Sequence, residues 1–168
     1  PIWNNDIIKR TTFGSHFYEI NTRNSVWNCT DVLVYYNKKA FEENGILTPQ
    51  DYIDKGEWTI DNMINIMREF KALGDTYTGG SITPRSIAAS LGSGICYMRD
   101  NRFVNGLNDE GLATAYKAYL TTREEGLDTG SAVAGLIKGT TGLFVIDTYG
   151  LKKTGYFKGI DPDVLGFA

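Results

Sequence analysis

The chain has 168 residues, a net charge of −3 and 42% hydrophobic residues, so it is long enough to bury roughly 70% of its extended surface around a real core. No run of Lys or Arg is long enough to neutralise several phosphates, which argues against a nucleic-acid partner. No segment approaches the ~20 apolar residues of a membrane helix, and Cys29, Cys96 and the lone His16 have no metal-ligand spacing, so neither a metal nor a cofactor is expected.

Pro1 to Phe13 reads as a short amphipathic or irregular lead-in, with a turn at Gly14-Ser15 and a short strand over Phe17 to Ile20. Val32 to Tyr36 is an unbroken apolar and aromatic run with β-branched residues, short enough for a buried strand. Asn37 ends it. Lys38 to Asn44 then winds about two helical turns, with Ala40 and Phe41 facing inward and Gly45 as a left-handed C-cap. Thr48-Pro49 starts a short helix that ends at Gly56. Thr59 offers an N-cap and Asp61 a favourable first-turn charge for a longer helix. Its core face is Met63, Ile66, Met67, Phe70 and Leu73, and Gly74 stops it.

From Asp75 to Gly94 the chain is rich in Gly, Ser and Thr, with a brief helix over Ser86 to Leu91 and Pro84 near its start. Tyr97 to Asn108 mixes charged and aromatic residues around a turn at Asp100-Asn101. Asn108 is the expected cap of the next helix, whose core face reads as Leu112, Tyr116, Tyr119 and Leu120 until Gly126. Ala132 to Lys138 gives a short helix ending at Gly139, Thr141 to Ile146 a buried strand, Asp147 to Gly150 a turn into a last short helix, and Val164 to Ala168 a return strand. Strands alternate with helices without a repeat or internal linker, so the class is α/β.

Several stretches, taken in order, carry a likeness. Tyr36-Asn37-Lys38-Lys39-x-Phe41-Glu42-Glu43-x-Gly45 is followed by Trp58-Thr59-x-Asp61 at a helix start. Gly14-Ser15-His16-Phe17-Tyr18 stands upstream, and Leu136-Ile137-Lys138-Gly139-Thr140-Thr141-Gly142-Leu143-Phe144 downstream looks like an F-x-x-G-x-x-A-M segment. This ordered set resembles the family 1 extracellular solute-binding proteins of ABC importers, mostly sugar receptors. The resemblance implies one lobe of a periplasmic-binding-protein-like (type II) fold, a central mixed sheet flanked by helices. Because family members are considerably longer, residues 1–168 are expected to be a single lobe, mostly the C-terminal one, cut near the hinge. It further implies an extracytoplasmic lipoprotein without enzymatic activity. A sugar ligand and the membrane permease would be the parent's partners, the fragment itself being a monomer. In such a compartment a Cys29–Cys96 disulfide is allowed; two separate buried thiols are the alternative.

Ligands in α/β lobes bind where strand ends, loops and helix N-termini present unpaired donors. Three stretches qualify. Before the first buried strand stand Trp27, Asn28, Thr30 and Asp31, an indole face beside amide, hydroxyl and carboxylate groups suited to a sugar ring and its hydroxyls. The alternative packs Trp27 under the loop and pairs Asp31 with a backbone amide. Asp147 and Tyr149 follow the Thr141 to Ile146 strand, and the resemblance puts Tyr149 where family members often stack a Trp on the sugar. Tyr for Trp, and Asp147 for the usual Gly, depart from that pattern; the alternative is a helix-capping Asp147 with Tyr149 on the surface. Third are Thr83 and Arg85 at a helix start, where the guanidinium offers two donors to vicinal hydroxyls or a carboxylate. Here the alternative is a merely exposed arginine. Tyr97 and Arg99 are weaker candidates of the same kind. The aromatic content of 12% exceeds what a core alone requires. The other classes weighed are a carbohydrate-active hydrolase fragment, which needs two converging carboxylates, and an interaction domain without a small ligand. The acidic pairs Glu42-Glu43, Asp109-Glu110 and Glu124-Glu125 sit in charged helical stretches that solvation explains.

Overall fold

The computed structural model describes residues 12–13, 16–17, 32–100, 102–128, 130, 133–147, 157–158 and 160–168. A two-stranded ribbon comes first, β1 (Thr12–Phe13) paired antiparallel with β2 (His16–Phe17) across the Gly14-Ser15 position. The strand expected over Phe17 to Ile20 therefore starts one residue earlier, and part of the lead-in is itself a strand. Residues 18–20 lie outside the described residues.

The central sheet holds β4 (Thr78–Ser81), β7 (Thr141–Asp147), β3 (Val32–Asn37) and β8 (Leu165–Phe167), in that spatial order. β4 runs parallel to β7, whereas β3 is antiparallel to both β7 and β8, so the sheet is mixed. Both of its faces are covered. Tyr36, Leu143 and Val145 point into one apolar cluster, and Tyr35, Phe144 and Leu165 into another. Burial on two sides is why β3 and β7 read as continuous apolar runs rather than alternating ones.

The larger cluster is closed by α1 (Lys38–Asn44), α3 (Ile60–Ala72), α4 (Pro84–Ser90) and α5 (Glu110–Glu124). The smaller one is closed by α6 (Val133–Lys138) and Phe157. The Asn37 side chain caps α1, accepting from Ala40 N at 3.1 Å, and Gly45 ends the helix at φ 65°. Thr48 and Asp51 form a reciprocal capping box at α2 (Pro49–Asp54), and these bonds hold the Asp51 carboxyl below its usual range. Thr59 caps α3, whose inner face is Met63, Ile64, Ile66, Met67 and Phe70. Leu73, expected on that face, is the exposed C-cap residue instead.

Other sequence expectations fail because of contacts between elements. Asn108 does not cap α5; Asp109 occupies that position, and its carboxylate accepts from Ser93 Oγ at 3.1 Å rather than from the helix. The core face of α5 is Leu112, Ala115, Ala118 and Thr122, while Tyr116 and Leu120 are 44% and 51% exposed. Only small residues allow the close approach of α4, where Leu91 and Ser93 pack against Gly111. Strand β4 was also hidden, inside the Gly-rich stretch. There a Cβ on Gly79 would meet Met67 at 2.8 Å, and one on Gly80, at φ 146°, would run into the Leu143 backbone. Close backbone packing, not loop character, explains these glycines.

Strands β5 (Cys96–Arg99) and β6 (Arg102–Asn105) form an antiparallel hairpin turned at Asp100, whose φ of 51° is a conformation Asp tolerates. Cys96 is exposed here with a free thiol, contrary to the buried-thiol alternative, because the hairpin stands outside both clusters. Cys29 lies outside the described residues. No helix among them is long and apolar enough to cross a membrane.

Candidate functional site

Sheet register brings Asp147 and the Thr83–Arg85 helix start to the end of the sheet where β3 begins. Val32, the first residue of β3, pairs with Asp147, the last of β7. Because β4 is parallel to β7, with Ser81 opposite Phe144, its C-terminal end points the same way and delivers Thr83 and Arg85 to that end as well. The side chains of Trp27, Asn28, Thr30, Asp31 and Tyr149 lie outside the described residues, as do the details of the expected last helix. Asp147 is placed by its backbone alone.

Thr83 serves first as a helix cap, its hydroxyl accepting from Ser86 N at 3.3 Å and sharing a 2.7 Å hydrogen bond with Ser86 Oγ. Arg85 follows in the first turn of α4, exposed to solvent. The loop before them is pinned by Asp128, a buried carboxylate that accepts from Ile82 N at 3.3 Å and Gly130 N at 2.8 Å. Arg123 stands 3.8 Å from the same carboxylate and neutralises it. This explains why an acidic residue sits in the interior: its oxygens are met by backbone donors and a cation.

Beside this end of the sheet opens a cleft of about 890 Å³, within the roughly 300–1,000 Å³ range of small-molecule sites. Its floor is the sheet face at Val32, Val34 and Val145 together with Ala168. One wall is α3, from Trp58 and Thr59 through Asp61 and Ile64 to Arg68; the other is α4 and α5, with Ser86, Ser90, Thr114, Lys117 and Thr121. An apolar floor edged by hydroxyls and one indole suits a ligand with apolar faces and many hydroxyl groups. Trp58 is half-buried and packs near Tyr52, with ring centroids 6.4 Å apart.

The α3 and α5 residues of this cleft were not singled out in the sequence. Trp58-Thr59 reads there as a helix start, which it also is. The helical face of Thr114, Lys117, Ala118 and Thr121 carried a usable signal, a polar and small-residue stripe, which the larger Tyr116 and Leu120 obscured. The acidic pairs remain on helix surfaces: Glu42, Glu43, Glu110, Glu124 and Glu125 are all exposed. Among the described residues, no group of three or more His, Cys, Asp or Glu side chains could hold a metal ion.

No protein-family model matches the chain, and no curated protein sequence does. Solved structures do. The ABC transporter associated binding protein from Bifidobacterium animalis subsp. lactis Bl-04, in complex with β-1,6-galactobiose, superposes with a TM-score of 0.59 at 20% identity, over 82% of this chain and 36% of its own. The galacto-N-biose/lacto-N-biose I-binding protein of an ABC transporter from Bifidobacterium longum, in complex with lacto-N-biose, gives 0.56 and 20% over 82% and 35%. A chitin oligosaccharide binding protein gives 0.56 and 12% over 96% and 41%. The chain thus spans well under half the length of each. At these identities the likeness establishes architecture: this chain shares with these binding proteins a mixed-sheet α/β fold flanked by helices.

Proposed function

We propose that the chain is one lobe, mostly the C-terminal one, of the two-lobe substrate-binding component of an ABC importer. In this reading a mono- or oligosaccharide lies between the lobes, hinge bending closes them, and the complex docks on the permease at the extracytoplasmic face of the membrane. One observation carries the reading. Thr83 and Arg85 beyond β4 and Asp147 at the end of β7 share the end of the sheet where β3 begins, beside a cleft of ligand size. Support comes from the shared fold with proteins solved in complex with sugars. Trp27 and Tyr149 would supply stacking area, while Asn28, Thr30, Asp31, Thr83, Arg85 and Asp147 would give selectivity through hydrogen bonds.

A single lobe holds half of such a site, so its affinity alone is expected to be weak. Titration of the isotope-labelled chain with β-1,6-galactobiose, lacto-N-biose and a chitin oligosaccharide, followed by NMR, tests this. Millimolar binding with shifts at Val32, Arg85 and Asp147 is expected, reduced by Arg85→Ala without a change in melting temperature. Shifts confined to other faces, or none at all with any sugar, would refute the sugar reading; submicromolar affinity would refute the half-site reading.

A further inference from the structure

The two helical walls of the cleft are tied at one place by charge. Nε and Nη2 of Arg68 on α3 donate to Oε2 and Oε1 of Glu125, both at 2.7 Å, and Glu125 is the residue that closes the C-terminus of α5. Among the described residues this is the one ion pair joining these helices. The remaining guanidinium nitrogen, Nη1, donates to Asn65 Oδ1 at 2.8 Å, one helical turn back on α3. A bidentate fork fixes orientation as well as distance, and the Asn65 bond holds the arginine in the rotamer that reaches across.

Position gives this pair its interest. Arg68 lines the cleft at the end of its α3 wall, about 14 Å along the helix axis from Thr59 at the opposite end. Above their shared core, α3 and α5 border the open cleft from facing sides. Both members of the pair are partly exposed, at 45% and 38%, and ion pairs of that kind add little to global stability. What such a fork offers is geometry: on the cleft side of the shared core it sets how far apart the two helices stand.

We propose that Arg68 and Glu125 are the positioning pair of the cleft, a cross-brace that fixes the spacing of the α3 and α5 walls and so the width open to a ligand. Its relevance to ligand rests on the sugar-binding reading above, but its existence is tested without any ligand. Spin labels at Asp61→Cys and Thr114→Cys, exposed positions on the facing walls, report the spacing in a Cys29→Ser/Cys96→Ser background. Arg68→Met and Glu125→Gln are each expected to broaden the distance distribution and shift it outward by about 1–2 Å, the scale of helix displacements at bistable contacts. The exchanged pair Arg68→Glu/Glu125→Arg restores the original distance, which a merely structural role for either side chain would not require. High salt in the chain carrying both native charges gives the same outward shift, an arm that does not depend on any variant folding. An unchanged distance in both single variants and in high salt, or an exchanged pair that folds yet stays open, overturns the proposal. A failed sugar titration would leave these distances unaffected, so the two readings fail separately.

Discussion

Replacing Asn37 separates two roles that one buried side chain performs. Its Oδ1 caps α1 by accepting from Ala40 N at 3.1 Å, and its Nδ2 donates to Leu136 O at 3.0 Å, fastening the end of α6 to β3. Asn37→Ala loses the cap, about 1 kcal/mol, and the second hydrogen bond, again about 1 kcal/mol net. Leu136 O keeps a second donor, Gly139 N at 3.1 Å, so no orphaned carbonyl adds to the cost. The sum of about 2 kcal/mol lowers the melting temperature by about 4–8 °C in a domain of this size. Asn37→Asp distinguishes the roles. It retains the cap acceptor and even places a negative charge at a helix N-terminus, but sets a carboxylate oxygen against Leu136 O at a position only 5% exposed. An unpaired buried charge is the larger penalty, so the expected order of stability is Asn, then Ala, then Asp. Urea denaturation at neutral pH with an unchanged m-value reads this order. If Asp equals Asn while Ala is lower, only the cap matters and the α6 tether contributes nothing.

Two further outcomes follow from the packing and the charges. Gly80→Ala is expected to prevent stable folding, since its Cβ meets the Leu143 backbone of the neighbouring strand and its φ of 146° disfavours any side chain; soluble expression with a native circular dichroism spectrum would contradict the register of β4. Glu125 is held below the usual carboxylate range by its hydrogen bonds to Arg68, and Asp51 by those from Thr48. Because these folded-state values are depressed, the unfolded chain binds more protons through the acid range, and stability falls as pH drops from the ordinary carboxylate value of about 4 through the lower folded values. Urea midpoints measured across that range should fall, and fall less in a Glu125→Gln/Asp51→Asn double variant; parallel profiles would refute the assignment.

Most of the scaffold is legible in the sequence because local chemistry decides it. Asn37, Thr48 and Thr59 cap their helices, Gly45 adopts the left-handed conformation, and the apolar runs of β3 and β7 fill the middle of the sheet. What was hidden depends on contacts far away in the chain. Gly79 and Gly80 look like loop residues until Met67 and Leu143 come against them. Tyr116 and Leu120 look like core until Leu91 and Ser93 come against Gly111 and the buried face proves to be Leu112, Ala115, Ala118 and Thr122. The candidate site divides the same way. That strand ends would carry it follows from the α/β pattern, but register alone reveals that Thr83, Arg85 and Asp147 share one end with Val32. The Arg68–Glu125 link, between residues 57 positions apart, has no local signature at all.

The antiparallel pairing of β3 with β8 has a mechanical consequence. Val34 and Ala168 exchange two hydrogen bonds of 3.0 and 2.9 Å at the end of the sheet where β3 begins and β8 finishes. Ladder bonds in such a pair lie across the strands, so a load applied through the chain at that end pulls them apart one at a time. The sheet should therefore peel rather than shear, yielding at low force from that corner while α3 and the central strands stay folded.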